Sequence, residues 1–333
     1  MTLEVVKPGL LTTPQDAGRP GFAHLGIGRA GAFDPPALHL VNVLCGNPCT
    51  ACALEITLLG PTLRFRRDTW VAVAGAPIAF RVEGHDAPAW TPVFVRAGAT
   101  VALGAIREGC RSYLAVGGGF DVAPVLGSRS TDVNARLGPF DGRPLRAGDV
   151  LETGLASFPG GTRRAREAAG GNEPDPVSWR LDPRPWFVDD PKRPLRLLPG
   201  HHLDGLSNRS RNLLFSGAFK VHANSNRAGL RLTGPRLEWD APVEMVSEGC
   251  VPGLLQLPPS GQPIAFGPEC PVSGGYPRIG QVAAVDIPRL AQLRPGDALR
   301  FAPCTFDEAV LALHQRERAL RALETRIAAR LAG

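Results

Sequence analysis

Short apolar runs broken by turn residues fill the first third of the chain. LEVVKPG (3–9), TLRFRR (62–67), WVAVAG (70–75), IAFRVEG (78–84), VFVRAG (93–98) and SYLAVGG (112–118) are rich in Val, Phe or Leu and end near Gly, Pro or Asp. That pattern predicts short β-strands. One helix is expected among them, from Asp34 to Cys45. Asp34 is the N-cap, Pro35 and Pro36 suit the first turn, and Gly46-Asn47-Pro48 ends it. The pattern dissolves over 155–194, where GGTRRAREAAGGNEPDPVSW mixes Gly, Pro and charge without a period, so this stretch reads as a connection. Strand signals resume over 195–303. The end is different: Phe306, Val310, Leu313, Leu320, Ile327 and Leu331 recur at helical steps, with Arg and Glu between them. This predicts an amphipathic helix over 305–332, capped by Thr305 or Asp307. Its apolar face packs on its own lobe or docks to another protein chain.

The two halves share an order of motifs. GRPG (18–21), LEITLLGPTLRF (54–65) and LRAGDVL (145–151) in the first are echoed by NRAG (226–229), LRLTGPRLEW (230–239) and LRPGDAL (293–299) in the second. A shared order of this kind argues for two related β lobes, at 1–154 and 195–303.

Composition narrows the class. The 333 residues suit two domains, and 39 glycines with 33 prolines suit many short strands joined by turns. The net charge of +6 is carried almost wholly by arginine, dispersed along the chain. No zinc-finger spacing or aromatic RNA-binding motif accompanies it, so no nucleic-acid partner is expected. No window is long and apolar enough to span a membrane, and MTLEVVKPGLLTT lacks the layout of a secretory signal. Seven cysteines without such a signal point to reduced thiols and a cytoplasmic location.

Five stretches carry candidate chemistry. In TTPQDAGRPGFAHLGIGRAGAFD (12–34), Gln15, Asp16 and Arg19 put an amide, a carboxylate and a guanidinium within a few residues. Such a loop can grip an anion, or be a turn held by its own Asp–Arg pair. In GGGFDVAPVLGSRSTDVNARLG (117–138), Ser128, Arg129, Ser130 and Thr131 crowd hydroxyls around one arginine, which suits a carboxylate or phosphate. The alternative is a hydrogen-bonded loop. HANSNRAGLRLTGP (222–235) repeats the theme with Asn226 and Arg227. SEGCVPGLLQLPPSGQPIAF (247–266) offers Glu248, Gln256 and Gln262. SGGYPRIGQV (273–282) sets Tyr276 in a tight turn.

Other signals are discounted. Cys45-x3-Cys49-x2-Cys52 has iron–sulfur spacing but ends a helix with no β/α alternation after it, and His201-His202 with Asp204 lacks a second ligand cluster. No metal site is expected. No Gly-x-Ser-x-Gly elbow and no P-loop occur.

Taken together and in order, QDAGRPG, GNP before LEIT, RSYLAVGGGFD, LGSRSTD, SNRAGLRLTGP, GQPI and GGYPRI resemble the family of the 5-oxoprolinase C-type subunits, also called allophanate hydrolase subunit 2. The resemblance runs over nearly all of residues 1–303. It implies a mainly β fold of two cyclophilin-like β-barrel lobes with a C-terminal helix. It implies B-type and A-type 5-oxoprolinase subunits as partners. It also implies an ATP-dependent opening of 5-oxoproline to L-glutamate, with ATP bound by or with a partner. Asp16 and Glu248 are then candidate catalytic groups. Gln15, Arg19, Ser128, Arg129, Asn226, Arg227, Gln256 and Tyr276 are candidate substrate-binding groups lining a cleft shared with a partner. The family also contains carboxyltransferase portions of biotin-dependent urea carboxylases and a regulatory binder of a kinase inhibitor, which are the alternatives. Lys7, Lys192 and Lys220 all lack the Met-Lys context of a biotin acceptor, so no biotin is expected on this chain. Two departures stand out: Ala228 where Met is usual, and ECPVSGGYP (269–277) in place of an Asp-x-Gln-Thr-Thr run before Gly-Gly-Tyr-Pro.

Overall fold

The computed structural model describes residues 2–155, 174–182, 184, 193–241, 243 and 245–332. The chain divides into two units. The first takes in Met1–Gly18, Asp34–Val188 and Ala319–Gly333; the second takes in Arg19–Phe33 and Asp189–Arg318. The division departs from the sequence boundaries at two places: residues 19–33 belong with the second unit, and residues 319–333 with the first.

The first unit holds strands β1 (Thr2–Lys7), β2 (Leu11–Gln15), β3 (Ala53–Thr57), β4 (Thr62–Phe65), β5 (Thr69–Gly75) and β6 (Ile78–Val82). These continue with β7 (His85–Asp86), β8 (Val93–Val95), β9 (Thr100–Ile106), β10 (Arg111–Val116), β11 (Val150–Glu152) and β12 (Asp175–Pro176). They form two six-stranded sheets, in the orders β11-β1-β4-β9-β6-β7 and β12-β8-β5-β10-β3-β2. Leu3, Val5, Leu63 and Val101 from the first sheet share one core with Leu54, Val71, Val73 and Leu114 from the second. In β1 the residues alternate, with Leu3 and Val5 inward and Glu4 between them. In β5 all seven are buried, because helix α1 (Pro35–Leu44) covers the other face of that sheet at β5 and β10. A strand covered on both faces reads as an unbroken apolar run, which is what WVAVAG is. Strand β12 comes from the stretch expected to be a connection. It pairs with β8, and beyond it Val177 and Leu181 donate backbone hydrogen bonds to Pro92 and Trp90, so 175–176 joins the sheet and 177–181 is tied to the segment before β8. Most of the remaining connection over 155–194 lies outside the described residues.

The second unit holds β13 (Leu195–Pro199), β14 (Phe219–Val221), β15 (Gly229–Thr233), β16 (Glu248–Gly249) and β17 (Leu254–Gln256). It adds β18 (Ile264–Phe266), β19 (Ser273–Gly274), β20 (Arg278–Val282), β21 (Ala298–Leu299) and β22 (Phe301–Pro303), with helices α2 (Asn208–Ser216) and α3 (Ile287–Ala291). Eight strands form a nearly closed sheet in the order β21-β14-β15-β18-β17-β20-β13-β22, around Leu197, Phe219, Leu232, Leu255, Ile279 and Phe301. β16 and β19 make a separate two-stranded ribbon. The fold is mainly β.

Helix α4 (Phe306–Ala332) ends the chain. Thr305 and Glu308 form a reciprocal cap: Glu308 accepts from the Thr305 amide at 2.8 Å, and Thr305 Oγ1 accepts from the Glu308 amide at 3.3 Å. Leu320, Ile327 and Leu331 are buried, so that stretch packs on the chain itself, while Phe306 is exposed.

The sequence repeat has a structural counterpart. In Arg146–Asp149 the Asp149 carboxylate accepts from the Arg146 amide at 2.7 Å, and in Arg294–Asp297 the Asp297 carboxylate accepts from the Arg294 amide at 2.8 Å. Gly148 and Gly296 both have positive φ, 88° and 93°, and donate at 2.8 Å to Val5 and Val221 respectively. Val5 and Val221 donate back to Asp149 and Asp297 at 2.8 and 2.9 Å. One turn chemistry thus anchors β1 in the first unit and β14 in the second.

Candidate functional site

Strand β2 delivers Gln15 and Asp16 to the loop Ser128–Thr131. One Asp16 oxygen accepts from Gly18 N at 2.8 Å, Ser128 Oγ at 2.6 Å and Ser130 Oγ at 2.5 Å; the other accepts from Arg129 N at 2.6 Å. The carboxylate is therefore committed to tying two chain segments together. Gln15 Nε2 donates to Thr13 Oγ1 at 3.0 Å and to Thr131 O at 2.8 Å. Its Oε1, like Thr131 Oγ1, is buried without a hydrogen-bond partner among the described residues. A buried acceptor left open costs about 1–3 kcal/mol, so this spot stores strain that a donor could relieve. The Arg129 guanidinium reaches outward, donating to Val122 O at 3.0 Å and Asp121 Oδ1 at 2.8 Å. Of the first unit's candidates, Gln15, Asp16, Ser128 and Arg129 come together.

The second unit carries two arrangements. In the first, Arg227 Nε donates to Glu269 and its Nη2 donates to Gly31 O at 2.7 Å. This pair is almost sealed, at 3% and 0% exposure. Asn226 closes the adjoining turn by accepting from Ala228 N at 2.8 Å. Arg19 is buried too, with its amide donating to Arg29 O at 2.8 Å. Glu269, one of the departures noted in the sequence, is the residue that compensates Arg227.

The second arrangement is open at Glu248, while Arg278 is mostly covered and Gln256 is buried. Arg278 Nη2 lies 2.9 Å from Glu248 Oε2 and donates to Gly249 O at 2.7 Å. Arg278 on β20 stands opposite Gln256 on β17. Gln256 Nε2 lies 3.7 Å from Cys250 Sγ. A Cβ on Gly274, opposite Glu248 in the ribbon, would meet Gln256 Nε2 at 3.0 Å and Cys250 Sγ at 3.1 Å. Glycine there lets the ribbon lie on the amide. Tyr276, two residues on, is 46% exposed. Burial pushes the Cys250 thiol up; Arg278 pulls against it and Glu248 adds to it. A planar amide, a guanidinium and a half-exposed carboxylate at one place can recognise a carboxylate or an amide and move a proton.

Sequence reasoning named Glu248, Gln256 and Tyr276 here but missed Arg278 and Cys250. Arg278 was visible inside GGYPRI, two residues after the tyrosine; nothing in the spacing pointed to Cys250. Gln262 is structural: its side chain caps Gly234, accepting from the amide at 2.8 Å. His202 Nδ1 accepts from Arg278 N at 3.3 Å, and Asp204 pairs with Arg211 at 3.3 Å, so these two are occupied by local structure. Among the described residues, no helix is long and apolar enough to cross a membrane.

Residues 25–303 match the family described as carboxyltransferase domain, subdomain A and B. Over 327 residues the chain is 36% identical to the C subunit of 5-oxoprolinase from Escherichia coli, covering 98% of each. It is 33% identical to the Haemophilus influenzae protein of the same name, covering 89% of each. The crystal structure of the K. lactis urea amidolyase superposes with a TM-score of 0.83 at 28% identity, over 96% of this chain and 20% of that one. The chain thus spans about a fifth of that larger protein.

Proposed function

As the chain belongs to the carboxyltransferase domain, subdomain A and B, family, we propose that it is the C-type subunit of an ATP-dependent 5-oxoprolinase. The observation that carries this reading is 36% identity with a protein of that name over 98% of both chains. The reaction takes 5-oxoproline, ATP and two waters to L-glutamate, ADP and phosphate, one water opening the lactam C–N bond and the other ending up in the phosphate. A lactam is a poor electrophile. Phosphorylating its oxygen creates a leaving group, and donors that meet the developing negative charge lower the barrier.

The sequence holds no Gly-x-x-x-x-Gly-Lys-Ser/Thr loop, so the nucleotide is assigned to a partner. B-type and A-type proteins are the proposed partners. In this chain, Glu248 is assigned the proton-transfer role ahead of Asp16, because Asp16 accepts hydrogen bonds on both oxygens while Glu248 is half-exposed. Arg278 is assigned to the substrate's carboxylate, next to the exposed Glu248; Gln256, buried under Gly274, supports the ribbon behind them. Arg19, Arg129 and Arg227 were the first candidates for anion binding. Arg227 is sealed with Glu269, whereas Arg129, 38% exposed and paired with Asp121, stays a candidate beside Arg278.

The experiment mixes the chain with its B-type and A-type partners and follows ATP-dependent glutamate release from 5-oxoproline. Turnover that needs all three chains is expected; none, with all three folded, contradicts the proposal. The likeness to urea amidolyase also fits a second reading, a carboxyltransferase half acting on carboxybiotin carried by another chain. Carboxyl transfer to a urea-like amide without ATP-dependent lactam opening would select it.

A further inference from the structure

Helix α1 ends in a turn that is unusually well held. Gly46 takes the left-handed conformation, φ 70°, and turns the chain back. Asn47 donates to Val116 O at 2.8 Å and accepts from Gly118 N at 2.8 Å. Of the three cysteines spaced through this region, Cys45 and Cys52 are sealed in the core, and burial pushes both thiols far above their ordinary range. Cys49 is the half-exposed one. Its Sγ, a ring nitrogen of His39 on α1 and a carboxylate oxygen of Glu324 on α4 all lie within 4.8 Å of one another. All three residues belong to the first unit. His39 Nε2 stands 3.4 Å from Glu324 Oε2, yet that nitrogen is buried and makes no hydrogen bond among the described residues.

We propose that His39, Cys49 and Glu324 bind one divalent cation of the zinc class, with water as the fourth ligand, clasping the end of α4 to α1. The donor set is the argument. A thiolate, an imidazole and a carboxylate suit zinc, whose bonds of about 2.0–2.3 Å put neighbouring ligand atoms about 3.3–3.8 Å apart in a tetrahedron. The imidazole and carboxylate are already at that spacing, and the thiol closes the remainder by a small side-chain adjustment. Charge agrees: one thiolate and one carboxylate neutralise a divalent ion beside a neutral imidazole. A divalent ion at this spot would stabilise the thiolate and accept a neutral imidazole as donor. The pinned turn at Gly46–Asn47 presets Cys49, so little ordering remains to be done on binding. The site stands apart from the proposed reaction and does not depend on it.

The test uses the full chain stripped of metal, then loaded with zinc or cobalt(II). Wild type should retain one zinc per chain after desalting and show a near-ultraviolet thiolate-to-cobalt charge-transfer band with visible bands of tetrahedral intensity. Cys49→Ser should abolish the charge-transfer band and weaken zinc binding by about a hundredfold or more. Glu324→Gln, on the partly exposed helix surface and safe for folding, should weaken zinc about tenfold while keeping the charge-transfer band. Cys250→Ser should change neither readout. Absence of stoichiometric zinc and of the cobalt band in wild type overturns the proposal, as does a band that survives in Cys49→Ser or zinc affinity unchanged in Glu324→Gln.

Discussion

Two arginine–carboxylate pairs in the second unit use the same chemistry for opposite ends. Arg227 and Glu269 are 3% and 0% exposed, and Arg227 Nη2 donates to the Gly31 carbonyl. Arg278 and Glu248 are 15% and 46% exposed, on a strand end and a ribbon, with Gln256 opposite Arg278. A sealed pair is fixed by its surroundings, because separating it leaves an uncompensated charge in a poor solvent. An open pair gains little from its own attraction, since water screens it, and so its charges stay available to a ligand. Residue type alone does not tell the two apart; burial does.

The largest expected effect comes from breaking the sealed pair. Glu269→Ala should cost about 3–5 kcal/mol of folding stability, read from the denaturant midpoint. Replacing both members, Arg227→Met with Glu269→Leu, should restore most of it; equal loss in single and double variants would mean the pair's charge is not what matters. Next is Asp16→Ala, which strips an acceptor from Ser128, Ser130 and the Gly18 and Arg129 amides and should cost about 2–3 kcal/mol. A loss below about 0.5 kcal/mol would show that the knot is not structural.

Between the extremes lies Arg143–Asp149, joined by two hydrogen bonds of 2.7 and 2.8 Å, with side chains 27% and 12% exposed. The Arg143 guanidinium holds the Asp149 carboxyl below its ordinary range, against the effect of burial. A depressed carboxyl contributes its stability in full above the unfolded value, about pH 4, and loses it as the pH falls through the lower folded value. Asp149→Asn should cost about 1.5 kcal/mol at neutral pH and flatten the stability profile below about pH 4. Identical acid profiles in wild type and variant would contradict that assignment. The smallest folding effect belongs to the open pair: Glu248→Gln should shift stability by less than about 0.5 kcal/mol.

Much of the fold was legible because local chemistry decides it. Asp34, Pro35 and Pro36 placed the start of α1 where it lies, and Asp34 does accept from Ala37 N at 3.1 Å. The repeat read as two related lobes, and its Arg-x-Gly-Asp run forms the same turn in each, with a left-handed glycine and a carboxylate that takes the arginine's amide. What was not legible depends on pairing between distant segments. β12 grew from a stretch without periodicity, since a two-residue edge strand leaves no period to read. The residues 19–33 join the second unit through Arg227 and Phe33, contacts that no local signal carries. Among candidate site residues, burial separated groups that composition made look alike. Asp16 and Glu248 were equal bets as carboxylates, and only their hydrogen-bond partners distinguish them. The His39–Cys49–Glu324 cluster draws on both ends of the first unit's sequence, so its spacing carried no warning.

The most direct test of the division between sealed and open pairs is turnover in the reconstituted three-chain complex with Glu248→Gln in place of wild type. A folding midpoint within about 0.5 kcal/mol of wild type together with a fall of about a hundredfold in kcat is the predicted result. Wild-type kcat in the variant complex would contradict the account, since the open carboxylate would then be as idle as the buried one.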